Sequence, residues 1–373
     1  MSRYKIAWLP GDGVGNDVME AARIVLNTLK LDAEYIHGDI GWEFWKKEGN
    51  PLPDRTVEMM KQTDCALFGA ITSKPKDEAA KELEPALRDK GPVYFSPIVK
   101  LRQEFDLFVN MRPCKAFVGN PLNYKDDIDL IIFRENTEGM YAGVEFHPVG
   151  SELKQTMAKH SPKMKRFMNV PDDEIAISTR IITKKGAERI IRAAFEYAKT
   201  FGKETVTLVE KPNVLRESGG MMTRVARTVA ADYPGIELWE TNIDAMCMWL
   251  VKNPQNYGVL VAENLFGDII SDLSAQLVGG LGFASSASTG DSYAVFEPTH
   301  GSAPKYAGQY KVNPMAMLLS VKLMLDYLKE TDMATRLEKA ISEVISEGKV
   351  RTYDMGGSNT SLEVAKEVAK KLN

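Results

Sequence analysis

Cysteine is scarce and unpatterned in this sequence: Cys65, Cys114 and Cys247 stand far apart, with no CxxC pair and no Cys/His cluster. That spacing excludes a disulfide framework and a thiolate metal centre, and it suits a reducing compartment. Long apolar runs are also missing. The most apolar later stretch, PMAMLLSVKLMLDYL at 314–328, is too short to span a bilayer and carries Lys322 and Asp326, so it reads as a buried core helix. The chain passes from MSRY straight into the strand-like KIAWLP without the apolar segment and small-residue cleavage site of a targeting peptide, so a soluble, cytoplasmic protein is expected. Neither sign of charge is in excess. With 47 Lys and Arg against 51 Asp and Glu, the formal charge is -4 and the basic residues are scattered, which argues against nucleic acid or an anionic membrane as a partner. No internal repeat or low-complexity segment stands out.

What is present is a regular alternation. Strand-like KIAWLP, CALFGA, DLIIFR, TVTLVE, IELWET and YGVLVAE are interleaved with helical patterns such as DVMEAARIVLNTLK and SGGMMTRVARTVAADY. This rhythm predicts an α/β fold with a substantially parallel sheet, and 373 residues exceed what one hydrophobic core usually organises, so two domains are expected. One segment breaks the rhythm: 145–175 is rich in Met, Lys and Pro, and loops of that length generally serve function or an interface.

Three constellations carry chemistry. LPGDGVGND, at 9–17, is a glycine-rich turn between a strand and a helix, but Gly11, Gly13 and Gly15 miss the GxGxxG spacing, so a tight structural turn is the better reading. A second set lies at predicted carboxyl ends of strands: Arg134, Lys211, Asp244, and Asn264 with Asp268. In open α/β sheets ligands bind along that edge. Asp268 and Asp272 share a helix face beside an apolar stripe of Leu265, Ile269, Leu273 and Leu277. Two such acids repel one another unless a cation relieves them. With no Cys or His nearby, the oxygen-only set suits a hard ion, Mg²⁺ or Mn²⁺, that leaves positions for substrate oxygens. Third come Arg102, Arg112 and Arg134, whose guanidinium forks match the carboxylates of a polyacid, with Tyr141 near enough in sequence to be a proton donor. A phosphoryl-transfer site is disfavoured because no GxxxxGK[ST] loop occurs.

These stretches together resemble the metal-dependent β-decarboxylating dehydrogenases, the isocitrate/isopropylmalate dehydrogenase family. The likeness runs through LPGDGVGNDV, LRQEFDLFVNMRP, FRENTEGMYAG, EKPNVL, TNIDA, AENLFGDIISDLSAQLVGGLG and EPTHGSAPKYAGQYKVNP in order. The resemblance implies that family's own fold, two α/β domains around a cleft and not a Rossmann sheet. It implies a large cofactor-binding domain from 1–107 plus 279–373, a small domain over 108–278, and a clasp at about 142–180 interlocking a homodimer with shared active sites. Arg102, Arg112 and Arg134 are then the carboxylate clamp. Asp268 and Asp272, with Asp244 of a second subunit, are the metal ligands, and Tyr141 with Lys211 of the second subunit is the acid/base pair. A non-catalytic homologue is disfavoured because all of these are present.

The resemblance also implies a cofactor loop at 297–314, with Glu297, His300, Gly301 and Asn313 as contacts and Thr72 beside them. Where NAD-using members carry an acidic residue followed by an apolar one, this chain has Lys305 and Tyr306, and Tyr353 matches a position of NADP-using isocitrate dehydrogenases. Gly357 departs from those enzymes, which carry arginine there. NADP is favoured over NAD. For the substrate, Ser96 matches a serine that isocitrate enzymes use, whereas Ile98 resembles the apolar residues that face an isopropyl group. The expected order is isocitrate, then homoisocitrate, then 3-isopropylmalate or tartrate/D-malate.

Overall fold

The computed structural model describes residues 2–372. Ten strands join in one sheet. In chain order the strands are β1 (Tyr4–Gly11), β2 (Ala33–His37), β3 (Cys65–Ala70), β4 (Val109–Lys115), β5 (Asp129–Glu135), β6 (Glu145–Phe146), β7 (Ile177–Ser178), β8 (Thr205–Glu210), β9 (Glu237–Asn242), β10 (Val259–Ala262), β11 (Ser285–Thr289) and β12 (Ala294–Pro298). The large sheet runs β2-β1-β3-β12-β11-β4-β5-β10-β8-β9, and among the described residues β6 pairs with β7 in a separate two-stranded sheet. Strands from the two chain ends lie on one side, and β4, β5 and β8 to β10 on the other. Each side is parallel, but β12, β11, β4 and β5 alternate in direction, so the two parallel halves run oppositely. Carboxyl strand ends therefore face opposite edges: β1, β3 and β12 present one edge, and β5, β8, β9 and β10 the other.

Sequence patterning explains the layers. CALFGA and VLVA, covered on both faces, are buried at every position of β3 and β10. On the terminal half, the helices Val14–Leu29, Met315–Tyr327, Thr331–Glu347 and Ser361–Lys371 contribute to one apolar core against the sheet. Ser361–Lys371 opens with a capping box between Thr360 and Glu363. On the middle half, alternate strand residues serve opposite faces. Ile131, Phe133, Val259 and Val261 pack under Lys184–Thr200 and Ser218–Ala230, while Leu130, Ile132, Leu260 and Ala262 pack under Ile243–Lys252 and Asn264–Leu277. Met315–Tyr327 is buried almost all round, as its composition predicts, and among the described residues no helix is long and apolar enough to cross a membrane.

Candidate functional site

Opposed residues of an antiparallel pair point to the same face, and β4 pairs Arg112 with Ile132 and Asn110 with Arg134. Asn110, Arg112 and Arg134 are thereby aimed at the helix Asn264–Leu277. That helix approaches closely because residue 267 is glycine, where a Cβ would lie 2.7 Å from Arg134 Cβ. Arg134 donates from Nε and Nη2 to Asn264 Oδ1, at 2.9 and 2.7 Å, and from Nη1 to Asp268. Arg112 donates from Nη1 to Asp268 Oδ1 at 3.1 Å, Ser271 Oγ at 2.7 Å and Asp272 Oδ1 at 3.2 Å. The Tyr141 hydroxyl donates to the other Asp268 oxygen at 2.6 Å, and Arg134 lies 4.9 Å from the tyrosine ring centre.

Two buried guanidiniums and a phenol thus converge on one carboxylate. Burial alone would raise the Asp268 carboxyl, but Arg134, Arg112 and the Tyr141 hydrogen bond outweigh it and hold it below the usual carboxylate range. Burial and the Asp268 carboxylate raise Tyr141, which keeps its proton at neutral pH. Asp272 is raised by burial, only partly offset by Arg112.

The helix face differs from the simplest reading of its sequence. Gly267, Ile270, Ser271 and Ser274 form the buried side, whereas Ile269 is 48% exposed and Leu265 and Leu273 are half-buried. The arginines of β4 and β5 draw the polar, small-residue side inward, which leaves Ile269 outward in a single chain, while Leu273 and Leu277 still pack against the core.

Arg102, on the helix Pro97–Glu104, is buried beside a cavity of about 140 Å³ whose lining includes Ile71, Ile98, Arg112, Glu297 and His300. It donates to Glu297 Oε1 at a long 3.3 Å, and its Nε is buried without a partner. Burial raises the Glu297 carboxyl, with Arg102 opposing. Ile98 lines this cavity and Ser96, half-buried ahead of the helix, does not.

Lys211 and Asp244 stand apart from this cluster. Following β8 and β9, they pair with each other at 2.5 Å, and the lysine holds the exposed Asp244 carboxyl low. Among the described residues no hydrogen bond or ion pair links either to Asp268 or Asp272, and no group of three His, Cys, Asp or Glu assembles that could hold a metal. The donors of Asp268 and Asp272 still suit a hard divalent ion, being carboxylate oxygens with no sulfur or imidazole nearby.

The 297–314 loop is built on the glycine-rich turn at the opposite sheet edge. Val14 N donates to Ser302 O at 2.9 Å, and a Cβ on Gly13 would lie 2.2 Å from that same oxygen. Gly13 also has a φ of 54°. The turn is therefore structural, its glycines pressed against protein backbone. Asp12 accepts from Thr72 N at 2.8 Å and Trp42 N at 2.7 Å, and the Thr72 hydroxyl meets Ser302 Oγ at 2.6 Å. Buried Asp17 accepts from Gly308 N and Tyr310 N, each at 3.1 Å, which ties the far end of the loop to the first helix. On this frame, Lys305 Nζ lies 4.9 Å from the Tyr306 ring centre, and the Tyr306 and Tyr353 rings are 6.4 Å apart. Tyr353 is 53% exposed. Asn313 is buried and already committed, donating to Asp354 and accepting from Met315 N. Gly357 could not be arginine in this backbone, because a Cβ there would lie 2.1 Å from Arg351 O. His300 Nε2 is buried without a partner, and burial lowers the imidazole pKa. Gly301, next to it, is open, with nothing near a Cβ placed there.

Sequence reasoning missed the residues that hold these groups in place. Asp12 lay inside the glycine turn, where an acid flanked by glycines could have signalled a backbone anchor, and Asp17 lay in the first turn of the helix that follows. Ser271 and Asn110 carried no comparable signal, since their roles arise only when the helix meets β4.

Comparison with known proteins agrees with this architecture. Residues 5–371 match the model of the family described as isocitrate/isopropylmalate dehydrogenase. Protein DlpA of Legionella pneumophila is 42% identical over 98% of this chain, which spans 58% of that longer protein. The 3-isopropylmalate dehydrogenase of Methanothermobacter thermautotrophicus is 41% identical over 100% of this chain and 99% of its own length. Among solved structures, the isocitrate dehydrogenase of Methylococcus capsulatus superposes with a TM-score of 0.85 at 34% identity, over 99% of both chains.

Proposed function

The chain belongs to the isocitrate/isopropylmalate dehydrogenase family, and from that premise we propose that it oxidatively decarboxylates a 3-substituted malate, isocitrate first, using NADP and Mg²⁺ or Mn²⁺. The observation that carries this reading is the convergence of Arg112, Arg134 and Tyr141 on Asp268. Arg112 and Arg134, joined by Arg102 with its unpartnered Nε, orient the substrate carboxylates. Asp268 and Asp272, with Asp244 of a second copy, would hold the divalent ion, which when bound polarises the C2 oxygen and favours loss of CO₂. Lys211 of the second copy would take the C2 hydroxyl proton, and a bound nicotinamide would supply the hydride acceptor. Tyr141, kept protonated by its surroundings, returns a proton to C3 after decarboxylation. Exposed Met248, Val251 and Ile269 give the helices Ile243–Lys252 and Asn264–Leu277 an apolar outer face suited to a homodimer.

NADP is favoured by the cluster of exposed Lys305, half-buried Tyr306 and exposed Tyr353, a cation and two phenols able to hold a 2′-phosphate. Isocitrate is favoured by the match of Ser96 and by Arg102, whose buried Nε has no partner although its Nη2 donates to Glu297. A second reading, 3-isopropylmalate, is favoured by Ile71 and Ile98 on the cavity wall, since a carboxylate against isoleucine is poorly solvated. The deciding experiment is kcat/KM for isocitrate, homoisocitrate, 3-isopropylmalate, D-malate and tartrate, each with NAD⁺ and NADP⁺ and Mg²⁺ or Mn²⁺, followed by nicotinamide reduction. Isocitrate with NADP⁺ is expected to lead. A lead for 3-isopropylmalate selects the second reading, and no metal-dependent reduction with any pair rejects the function.

A further inference from the structure

Outside the clamp, the half-buried Arg180, between β7 and the helix Lys184–Thr200, joins several separate segments. Its Nη2 donates to both oxygens of Glu210, at 2.9 and 2.7 Å, and its Nη1 donates to Ser218 Oγ at 3.1 Å. Its Nε lies 3.6 Å from Glu263 Oε2, and the guanidinium carbon is 5.1 Å from the Phe266 ring centre. Glu210 and Glu263 are each 1% exposed. Neither acid is idle. Glu210 accepts from the backbone N–H of Lys211 at 2.9 Å, and Glu263 caps the next helix by accepting from Phe266 N at 2.9 Å, one residue before Asn264.

The backbone beside Arg180 has a third attachment. Ile181 forms an isolated bridge with Gly139, Gly139 N donating to Ile181 O at 2.8 Å, two residues before Tyr141. Gly139 is glycine for a reason at this junction: its φ is 75°, and a Cβ would lie 2.7 Å from Glu263 Oε2. Three separate segments therefore meet at one arginine: the loop carrying Tyr141, the strand end carrying Lys211, and the helix start carrying Asn264 and Asp268. Without its guanidinium, two buried carboxylates would face each other unpaired.

We propose that Arg180 is the positioning residue of the site, fixing Tyr141, Lys211 and Asp268 through Ile181, Glu210 and Glu263. The functional consequence rests on the reading given above, while the positional role does not. If Lys211 serves a second copy's site and Asp268 serves its own, the same arginine also links the two sites of a dimer.

The test is Arg180→Met, with Arg180→Lys as the conservative rescue, in the full-length protein. Arg180→Met is expected to lower kcat by roughly 100-fold, the scale of a 1 Å misplacement, with KM within about threefold. Arg180→Lys keeps the charge but loses the fork, and is expected to recover part of that kcat. Backbone hydrogen exchange is the readout that needs no turnover. It should rise in peptides covering 137–143, 211–218 and 264–268, and stay unchanged in β3. Wild-type exchange in those three segments, or wild-type kcat, overturns the proposal. So does an equal rise everywhere, which would mark general destabilisation. Should Arg180→Met fail to fold, Glu263→Gln carries the same two readouts, with faster exchange confined to 137–143 and 264–268 expected. If the unaltered enzyme turns over no substrate, the functional reading fails, and the exchange pattern still decides the role of Arg180.

Discussion

Asp268 accepts from more groups in the site than any other carboxylate there, taking Arg112, Arg134 and Tyr141 together. Each arginine nevertheless keeps another acceptor, Asn110, Ser271 and Asp272 for Arg112 and Asn264 for Arg134. Structure and chemistry should therefore separate at this residue. Asp268→Asn is expected to lower kcat by about 10³-fold or more, because a neutral amide is a poor ligand for a hard ion. The same substitution should lower unfolding free energy by only about 1–2 kcal/mol, the scale of weakened charged hydrogen bonds. Steady-state kinetics with urea unfolding checks both numbers, and activity within tenfold of wild type would remove Asp268 from the metal site. Arg112, Arg134, Tyr141 and Asp268 were legible in the sequence as candidates, because arginine, tyrosine and aspartate near strand ends and on one helix face are a readable combination, but their convergence on one carboxylate was not. Arg180 was not: its three attachments come from segments distant in the chain and acquire meaning only in the folded molecule.

At the scale of elements, the alternation of strand and helix was legible, but the relation between the two parallel halves was not. Nothing in KIAWLP or TVTLVE states that β11 and β4 will pair antiparallel and reverse one half against the other. Of the stripe Leu265, Ile269, Leu273 and Leu277, the exposure of Ile269 escaped for a similar reason, since periodicity marks an apolar face without saying whether a neighbour in the same chain covers it. The seam between the halves is reinforced by charge. Lys115, at the end of β4, donates to Glu338 on the helix Thr331–Glu347 at 2.5 Å, and Lys322 on Met315–Tyr327 lies 3.3 Å from the other oxygen. Burial would raise the Glu338 carboxyl, but these lysines outweigh it and lower its pKa. A carboxyl lowered in the folded state stabilises above its unfolded pKa, and that stabilisation fades as pH falls through the folded value. Glu338→Gln should thus lower unfolding free energy by about 1 kcal/mol near neutral pH, the partial exposure of Lys115 keeping the effect small. At a pH below the folded-state value of Glu338 the deficit should vanish. Urea unfolding of both proteins at the two pH values measures this, and an equal deficit at both would assign the effect to packing.

For the whole molecule, the separation of Lys211 and Asp244 from Asp268 decides what one chain can do. Both halves of the proposed chemistry are present in every chain, yet no hydrogen bond or ion pair among the described residues joins them. The exposed apolar faces of the helices Ile243–Lys252 and Asn264–Leu277 lie beside these same groups. Two copies related by a twofold axis would each receive what the other offers. Complementation follows from that geometry. Lys211→Met and Asp268→Asn proteins should each be inactive alone, since every site would lack one partner. In a hybrid, one of the two sites combines the intact Asp268 of the first chain with the intact Lys211 of the second, and the other site carries both defects. Random pairing of equal amounts makes half the dimers hybrid, so coexpression or subunit exchange should restore roughly a quarter of wild-type activity. Recovery requires exchange of subunits and therefore cannot come from either variant by itself. If hybrid dimers form and activity stays at the level of the parent variants, each chain builds its site alone, and Lys211 must reach Asp268 by movement within one chain.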